Sequence, residues 1–332
     1  MNNQTSIIFD HEKESIPILK EEGNNYFIKI FESELNHYMY LAYLDQFFNI
    51  KIYNLDCSEI SNTFTNNDFS SKCFFDYCFD SNYKKDLLLY RNYENNHDVI
   101  IYNLTDSSIF LKIEKINIIN SLDFSLLLKI KKKIFLIVAS RNDNKEKIKN
   151  QNANIIYFNK DLFQVIDGSN SKTFFIHRYY DDEKKIFLLT GNEESTQSYF
   201  YSSKFIPYYN FKDNYGIKKG NNINGHLFSD NNTTLLAIQT NLGYIMIWDF
   251  KKRKLLNNIS FYKYLPFCFI DTKKILVYCD EELDVVSLQT NQIVERIEYE
   301  DEVIKIEKIF IQKYHGPCMI LQESENGSIK IY

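Results

Sequence analysis

A short strand-like motif recurs along the chain and constrains its fold more than any other feature. Each copy has two or three β-favouring residues, then a large aromatic residue and, except at the end of the chain, a small polar residue. The copies are Ile50–Asn54, Val99–Asn103, Ile155–Asn159, Tyr244–Asp249 and Ser328–Tyr332. A repeated strand predicts repeated sheets, because each unit can bury its apolar face only against the next unit.

The spacing of this strand predicts how many strands each unit holds. Aligned on the position of the aromatic residue, the copies fall at 53, 102, 158, 201, 248, 286 and 332, with steps of 38 to 56 residues; Val286 takes the place of the aromatic residue in one of them. This spacing is close to the ~40–45 residues of a four-stranded propeller blade. The unit around Trp248 divides into strands Asn222–Ser229, Thr234–Thr240, Gly243–Asp249 and Lys254–Ser260. We therefore predict an all-β fold, a seven-bladed β-propeller in which residues 1–332 form one domain.

The two ends of the chain predict how the ring closes. Tyr332 ends the chain at the third strand of the last unit, so a fourth strand is missing there, while Ser6–Phe9 and Ile16–Leu19 are spare strands near the N-terminus. An N-terminal strand that completes the last blade would remove an exposed sheet edge. Pro17 favours an outer position, since proline cannot donate to a ladder on both sides. The sequence leaves open which spare strand closes the ring and whether an eighth, partial blade exists.

Composition limits the classes of protein to which the chain can belong. With 44% hydrophobic residues, 27 Phe and 25 Tyr, the chain has ample material for a core. The net charge of −5 argues against a general nucleic-acid binder. The six cysteines form no CxxC pair, and most lie in strand-like runs where a small buried hydrophobe is expected. The N-terminus lacks a signal-like apolar core and no apolar run approaches ~18 residues, which predicts a soluble, intracellular, cytoplasmic protein without a transmembrane segment.

One segment resembles a unit of a known repeat family. The residues Gly225-His226, the run Leu235–Ile238 and the pair Trp248-Asp249 resemble one unit of the WD-repeat family. The resemblance implies a rigid propeller platform for other proteins, usually without catalysis. The family stabilises each blade with a hydrogen-bonded set of Trp, Ser/Thr, His and Asp. Because this chain has one Trp and six His that do not recur at the repeat period, we expect the polar set to be absent from most blades.

Motifs for catalysis are not found in the sequence. The chain has no phosphate-binding loop, Gly-rich dinucleotide turn, HExxH motif or nucleophile elbow. His177 falls in an expected strand, and His226 lacks partners at metal-ligand spacing. We therefore predict no catalytic, cofactor-binding or metal-binding residues and no enzymatic activity.

Acidic residues cluster in loops that the strand assignment places together. In a WD-type propeller, the loops from second to third strand and from fourth strand to the next blade share one face. The partner-binding candidates on that face belong to blades six, seven and one; they are Glu21, Glu22, Asp280, Glu281, Glu282, Glu300, Asp301 and Glu302. Glu323 and Glu325 fall on the same set of loops. Such a patch would attract a basic segment of a partner protein, although loops are also charged simply because they face water.

Three functional hypotheses follow. The leading one is a non-catalytic protein–protein interaction scaffold within an intracellular multiprotein complex. The alternative is a phosphoinositide-binding propeller peripherally attached to membranes, for which the basic turn Lys251–Lys254 is the candidate, although it lacks the paired arginines of that group. A propeller enzyme would need polar side chains on the innermost strands, and Phe27–Ile30 and Phe124–Leu128 look apolar.

One connection is longer than the others. Residues 141–152 separate strands that normally need only a tight turn, and they account for the longest step between repeats. The segment is either an insertion tolerated at a loop tip or a docking element on the acidic face. We favour the insertion.

Overall fold

The computed structural model of this chain describes most of its strands and turns. The described residues are 12–17, 28–45, 47–65, 69, 73–81, 83–92, 99–113, 122–130, 133–140, 147–148, 151–152, 155–159, 162–167, 175–180, 186–191, 196–201, 205–212, 222–230, 233–261, 263, 265–323 and 328–332.

Fifteen strands lie in the first half of the chain. They are β1 (Glu14–Pro17), β2 (Lys29–Glu32), β3 (Met39–Leu44), β4 (Ile50–Asn54), β5 (Glu59–Phe64), β6 (Cys73–Asp80), β7 (Lys85–Asn92), β8 (Val99–Asn103), β9 (Ser108–Ile113), β10 (Leu122–Ile130), β11 (Lys133–Ser140), β12 (Lys147–Ile148), β13 (Gln151–Asn152), β14 (Ile155–Asn159) and β15 (Leu162–Asp167).

The remaining strands continue to the end of the chain, with a short 3-10 turn at Gln312–Tyr314. They are β16 (Phe175–Tyr180), β17 (Ile186–Gly191), β18 (Thr196–Tyr201), β19 (Phe205–Phe211), β20 (Asn222–Ser229), β21 (Thr234–Thr240), β22 (Tyr244–Asp249), β23 (Lys254–Ser260), β24 (Phe267–Phe269), β25 (Lys274–Cys279), β26 (Glu282–Ser287), β27 (Ile293–Glu298), β28 (Val303–Ile311), β29 (Gly316–Glu323) and β30 (Ser328–Ile331).

Six antiparallel sheets are each built by one stretch of the chain. In the described residues they are sheet 1 (β2–β5), sheet 2 (β6–β9), sheet 3 (β10, β11, β14 and β15), sheet 4 (β16–β19), sheet 5 (β20–β23) and sheet 6 (β24–β27), each with its strands in chain order. The recurring motif is the third strand of its sheet wherever it occurs, as in β4, β8, β14 and β22. The prediction that the repeat marks four-stranded units is confirmed.

The predicted count of seven blades is wrong. The chain builds six blades continuously, and the remaining four-stranded sheet in the described residues is a composite of the two chain ends, in the order β1-β30-β29-β28. The last three strands cannot complete a blade by themselves, because β30 would present a row of backbone groups without ladder partners. β1 covers that row, with Ile16 opposite Ile329 and Pro17 opposite Ser328. The strand that completes the composite sheet is therefore Glu14–Pro17, which overlaps the second of the two predicted spare strands. β1 is an edge strand, which confirms the outer position predicted from Pro17.

The chain divides into two compact units, which we describe separately. The first unit (residues 1–32, 37–66 and 265–332) contains sheet 1, sheet 6 and the composite sheet. One of its apolar clusters includes Leu41, Ile320 and Ile329, which bring sheet 1 and the composite sheet together. Another includes Leu276, Ile306 and Leu321 and joins sheet 6 to the composite sheet. The composite sheet is therefore the packing centre of this unit.

The second unit (residues 33–36 and 67–264) contains sheets 2 to 5. Sheet 5 confirms the sequence assignment closely, since three of its four strands have the predicted bounds and β22 begins one residue later than predicted. Trp248 packs edge-on against Phe211 with ring centroids 5.5 Å apart. Its buried Nε1 has no hydrogen-bond partner among the described residues, so the one Trp-Asp unit is held by aromatic packing and not by the polar set of the WD repeat.

The long connection in sheet 3 contains a small structure of its own. β12 and β13 form a two-stranded hairpin, with Lys147 opposite Asn152, between the second and third strands of the sheet. The residues that flank the insertion in sequence pair with each other in the ladder between β11 and β14, where Ala139 lies opposite Ile155. The segment is therefore an insertion at a turn.

Candidate protein-binding surface

Two acidic segments of the first unit meet at one end of sheet 6. Asp280 and Glu281 form the turn between the second and third strands, and residues 299–302 lead from the fourth strand into β28. In an antiparallel sheet these two connections leave from the same end. The backbone N–H of Tyr299 donates to the carbonyl oxygen of Glu281 at 2.8 Å, which ties the two segments together. The structure thus brings together six of the eight predicted residues, and we call Asp280, Glu281, Glu282, Glu300, Asp301 and Glu302 the acidic rim.

The members of the acidic rim differ in their exposure. Asp280, Glu281, Glu300 and Glu302 are exposed, whereas Glu282 and Asp301 are half-buried. The other two predicted residues, Glu21 and Glu22, lie outside the described residues, as does Glu325.

Glu282 is engaged by a cation of its own sheet. The Nε of Arg296 on β27 lies 2.9 Å from a carboxylate oxygen of Glu282 and 2.9 Å from one of Asp284. Asp284 is buried. The hydrogen bond that Arg296 donates to Asp284 and the charges of both carboxylates raise the pKa of Arg296. Glu282 therefore shares the single positive charge of Arg296 with Asp284.

Asp301 is paired in the same way, with a lysine that the sequence reasoning missed. The ammonium of Lys330 on β30 lies 2.8 Å from Asp301 and 2.7 Å from Glu323. Burial alone would lower the pKa of Lys330, but the hydrogen bonds to Asp301 and Glu323 outweigh burial and raise it. Lys330 therefore stays charged and fixes the loop that carries Asp301.

Glu323 corrects one expectation of the sequence analysis. It is the last residue of β29 and is fully buried, so it does not belong to an exposed acidic loop. One carboxylate oxygen accepts a hydrogen bond from the Tyr299 hydroxyl at 2.6 Å, and the other accepts one from Ser328 Oγ at 2.6 Å. Burial, and then the hydrogen bond to Glu323, raise the pKa of Tyr299. We call Lys330, Glu323, Asp301, Tyr299 and Ser328 the Lys330 network.

The exposed carboxylates produce a local negative potential. Burial raises the pKa of the Tyr278 hydroxyl, a hydrogen bond with the backbone of Glu281 opposes this effect, and the charges of Glu302 and Glu281 add to it. The carboxylates of Glu281 and Glu302 thus both act on the Tyr278 hydroxyl, although they belong to different segments. Four exposed carboxylates on two segments joined by backbone hydrogen bonding can attract and orient a cationic partner.

Basic turns elsewhere are engaged by their own neighbours. In the second unit, the ammonium of Lys252 lies 3.1 Å from Asp249, and the guanidinium of Arg253 stacks over the ring of Tyr208 at 4.2 Å. In the first unit, the backbone N–H of Lys273 donates to Asp271 at 2.6 Å, which is an ordinary Asx-turn. The basic side chains of these turns are therefore held by contacts with their own neighbours.

The first strands of sheets 2, 3 and 4 carry a polar contact that sequence reasoning did not foresee. Arg178 on β16 lies 2.5 Å from the carboxylate of Asp76 on β6, and the same carboxylate accepts a hydrogen bond from the N–H of Leu127 on β10 at 2.8 Å. Arg178 also donates to the carbonyl oxygens of Leu127 and Tyr77. The polar side chains come from β6 and β16, which the sequence interpretation did not consider, and Phe124–Leu128 takes part only through the backbone of Leu127.

Metal sites and membrane spans can be assessed only over the described residues. There, no group of three or more His, Cys, Asp or Glu side chains is arranged to hold a metal ion. No helix in the same residues has the length and apolar character needed to cross a membrane.

Comparison with known proteins gives the fold but no sequence family. No family model and no curated protein matches this chain. Solved structures do match over nearly its whole length. The Cps50 (Swd1) beta-propeller domain of Myceliophteria thermophila is 14% identical, with a TM-score of 0.63 over 97% of this chain and 98% of that chain. The fold is a β-propeller.

Two further structures resemble this propeller to a similar degree. A chain of the Mitotic Checkpoint Complex is 12% identical, with a TM-score of 0.62 over 97% of the propeller and 94% of that chain. BBS1N, solved in complex with ARL6DN, is 9% identical, with a TM-score of 0.61 over 96% of the propeller and 95% of that chain. At such low identity the likeness shows the fold alone.

Proposed function

We propose that this propeller is a non-catalytic scaffold subunit of an intracellular, cytoplasmic multiprotein complex, and that its acidic rim binds a basic segment of a partner protein. The single observation that carries the proposal is the joining of two acidic segments by the hydrogen bond from Tyr299 to Glu281, which holds four exposed carboxylates together. The propeller fold supports a scaffold role, since two of the similar structures are structures of protein complexes.

The electrostatics of the rim favour a partner with several positive charges. Glu282 and Asp301 are held in ion pairs with Arg296 and Lys330, so the carboxylates best placed to meet a partner are the exposed ones, those of Asp280, Glu281, Glu300 and Glu302. These side chains are solvent-exposed, and salt screens exposed charges within about 8–10 Å. Binding should therefore be fast at low salt and weaken as salt is added.

A pair of charge-reversal variants tests the proposal. In the rim variant, Glu300→Lys and Glu302→Lys are combined. In the control variant, Glu34→Lys and Glu59→Lys change two exposed residues elsewhere and alter the net charge by the same amount. Binding of a short peptide rich in lysine and arginine is measured by fluorescence anisotropy at low and physiological salt.

We expect the rim variant to bind the peptide about five- to tenfold more weakly than the control variant, with a shallower salt dependence. Equal binding by the two variants would mean that peptide binding depends only on the net charge of the protein. That result would overturn the rim as a binding site. The absence of any peptide binding by the unmodified protein would overturn it as well.

A further inference from the structure

Two adjacent phenylalanines are exposed in the first unit. Phe47 is 72% exposed and Phe48 is 42% exposed, between the second and third strands of sheet 1. Single exposed apolar residues are common on protein surfaces. Two adjacent exposed aromatic rings indicate a binding role more strongly when hydrogen bonds also fix their backbone.

The turn that carries the two rings is held by Asp45. One carboxylate oxygen of Asp45 accepts the backbone N–H groups of Phe47 and Asn49, both at 2.9 Å, and the other accepts Asn49 Nδ2 at 3.1 Å. The backbone of Asp45 exchanges further hydrogen bonds with Asn49 and Phe48. Burial alone would raise the pKa of Asp45, but these hydrogen bonds and the charge of Lys51 lower it overall. These hydrogen bonds fix the backbone of Phe47, Phe48 and Asn49 relative to Asp45.

The backbone of Phe48 is strained. Its φ of 60° lies in the left-handed region, which Gly and Asn occupy more easily than an aromatic residue. A backbone requirement alone would be met better by either of those residues. Phe48 shares this left-handed conformation with nine other described non-glycine residues, so the φ marks a turn position, and the turn itself does not require an aromatic ring.

The turn lies at the same end of the first unit as the acidic rim. At the opposite end, the 3-10 turn between β28 and β29 lies against sheet 1, since the N–H of Gln312 donates to Asp56 at 2.6 Å and its Nε2 donates to the carbonyl oxygen of His37 at 2.9 Å. β3 and β29 also pack side by side through Leu41 and Ile320. The C-terminal ends of β3 and β29 therefore lie at the same end of the unit, opposite the 3-10 turn. At the C-terminal end of β29, Glu323 accepts the hydrogen bond from Tyr299.

We propose that Phe47 and Phe48 form the apolar anchor point for the partner segment that the acidic rim attracts. The inference rests on the proposed function and names the chemistry of the partner: a basic segment that also carries an exposed aliphatic or aromatic side chain. The carboxylates select the positive charges, and the two rings bury the apolar side chain. Anchoring aromatic residues usually carry a large share of interface energy, and a rigid turn reduces the entropy lost on binding.

Two peptides of equal charge separate the two contributions. Both are rich in lysine and arginine; one carries a central leucine and the other a serine in its place. They are tested against the unmodified protein, the Phe47→Ser variant and the Phe310→Ser variant. Phe310 is a matched control, because it is 56% exposed in the same unit but lies near the other end of β28. Phe48→Asn serves as a second variant, since Asn tolerates the left-handed backbone.

We expect the leucine peptide to bind the unmodified protein about five- to tenfold more tightly than the serine peptide. Phe47→Ser and Phe48→Asn should remove this preference, and Phe310→Ser should keep it. Equal affinity for the two peptides, or equal effects of Phe47→Ser and Phe310→Ser, would overturn the anchor while leaving the acidic rim intact. Failure of both peptides to bind would overturn the rim and the anchor together.

Discussion

The ammonium of Lys330 lies 2.7 Å from the carboxylate of Glu323, whose side chain is completely buried. A buried carboxylate without a partner would be costly, so this pair fixes where β30 sits against β29. Lys330 also reaches Asp301, and Tyr299 donates to Glu323. The Lys330 network thus links the composite sheet, which closes the propeller, to the loop that carries half of the acidic rim.

Replacing Lys330 by methionine should destabilise the protein by about 2–3 kcal/mol, because Glu323 and Asp301 lose their shared cation. The free energy of unfolding is measured by urea denaturation. Lys305→Met is the matched control: Lys305 contacts Glu307 at 2.6 Å, but both side chains are about one-third exposed, so we expect a loss of less than about 1 kcal/mol. Similar losses for the two variants would contradict a structural role for the Lys330 network.

The pKa shifts of Tyr299 and Lys330 predict a loss of stability at alkaline pH. Both pKa values are raised in the folded protein. Their contributions are therefore fully present below the unfolded pKa values, which are about 10, and are lost as the pH rises above them. We expect the stability gap between the unmodified protein and Tyr299→Phe to narrow as the pH rises above about 10. Urea denaturation at several pH values measures this gap.

The control for the alkaline experiment is Tyr83→Phe, which changes a tyrosine that is 69% exposed. Its stability should follow that of the unmodified protein at every pH. A constant gap for Tyr299→Phe across the alkaline range would show that the tyrosine does not bind its proton more tightly in the folded state.

Arg178 should be important for the stability of the second unit. Its replacement by methionine leaves the buried carboxylate of Asp76 without the guanidinium that lies 2.5 Å away, and we expect a loss of about 2–4 kcal/mol in the free energy of unfolding. Arg253→Met is the control, since Arg253 stacks on Tyr208 at an exposed turn and its loss should cost about 1 kcal/mol or less. Equal losses measured by urea denaturation would rule out a special role for the Asp76 contact.

Features that depend on neighbours in sequence were predictable. The third strands β4, β8, β14, β18 and β22 each carry their own aromatic residue, and the bounds of β20, β21 and β23 follow from the turns that flank them. Strand periodicity and turn chemistry are local properties, so a single chain reveals them. The sequence also predicted that the acidic segments at 280–282 and 299–302 lie on the same face, because the order of strands decides at which end of the sheet each connection falls.

Features that depend on distant partners were not predictable. Glu323 resembles a loop acid in the sequence, and its burial becomes evident only when Tyr299 and Lys330 converge on it. Asp76 and Arg178 are separated by 102 positions, and nothing in either strand predicts that they meet. The fixed turn at Phe47 and Phe48 offered one local signal, an Asp four residues before an Asn, which is also the pattern of an ordinary Asx-turn.

The sequence by itself determined that this chain forms repeated four-stranded sheets, because alternating apolar residues and polar turns restrict each segment to a strand of fixed length. Only the tertiary structure decided which N-terminal strand completes the composite sheet, which acids are buried with a cation and which remain exposed to a partner. Those outcomes depend on distances between residues far apart in the chain. Such distances are set by the packing of whole sheets and not by the properties of any one segment.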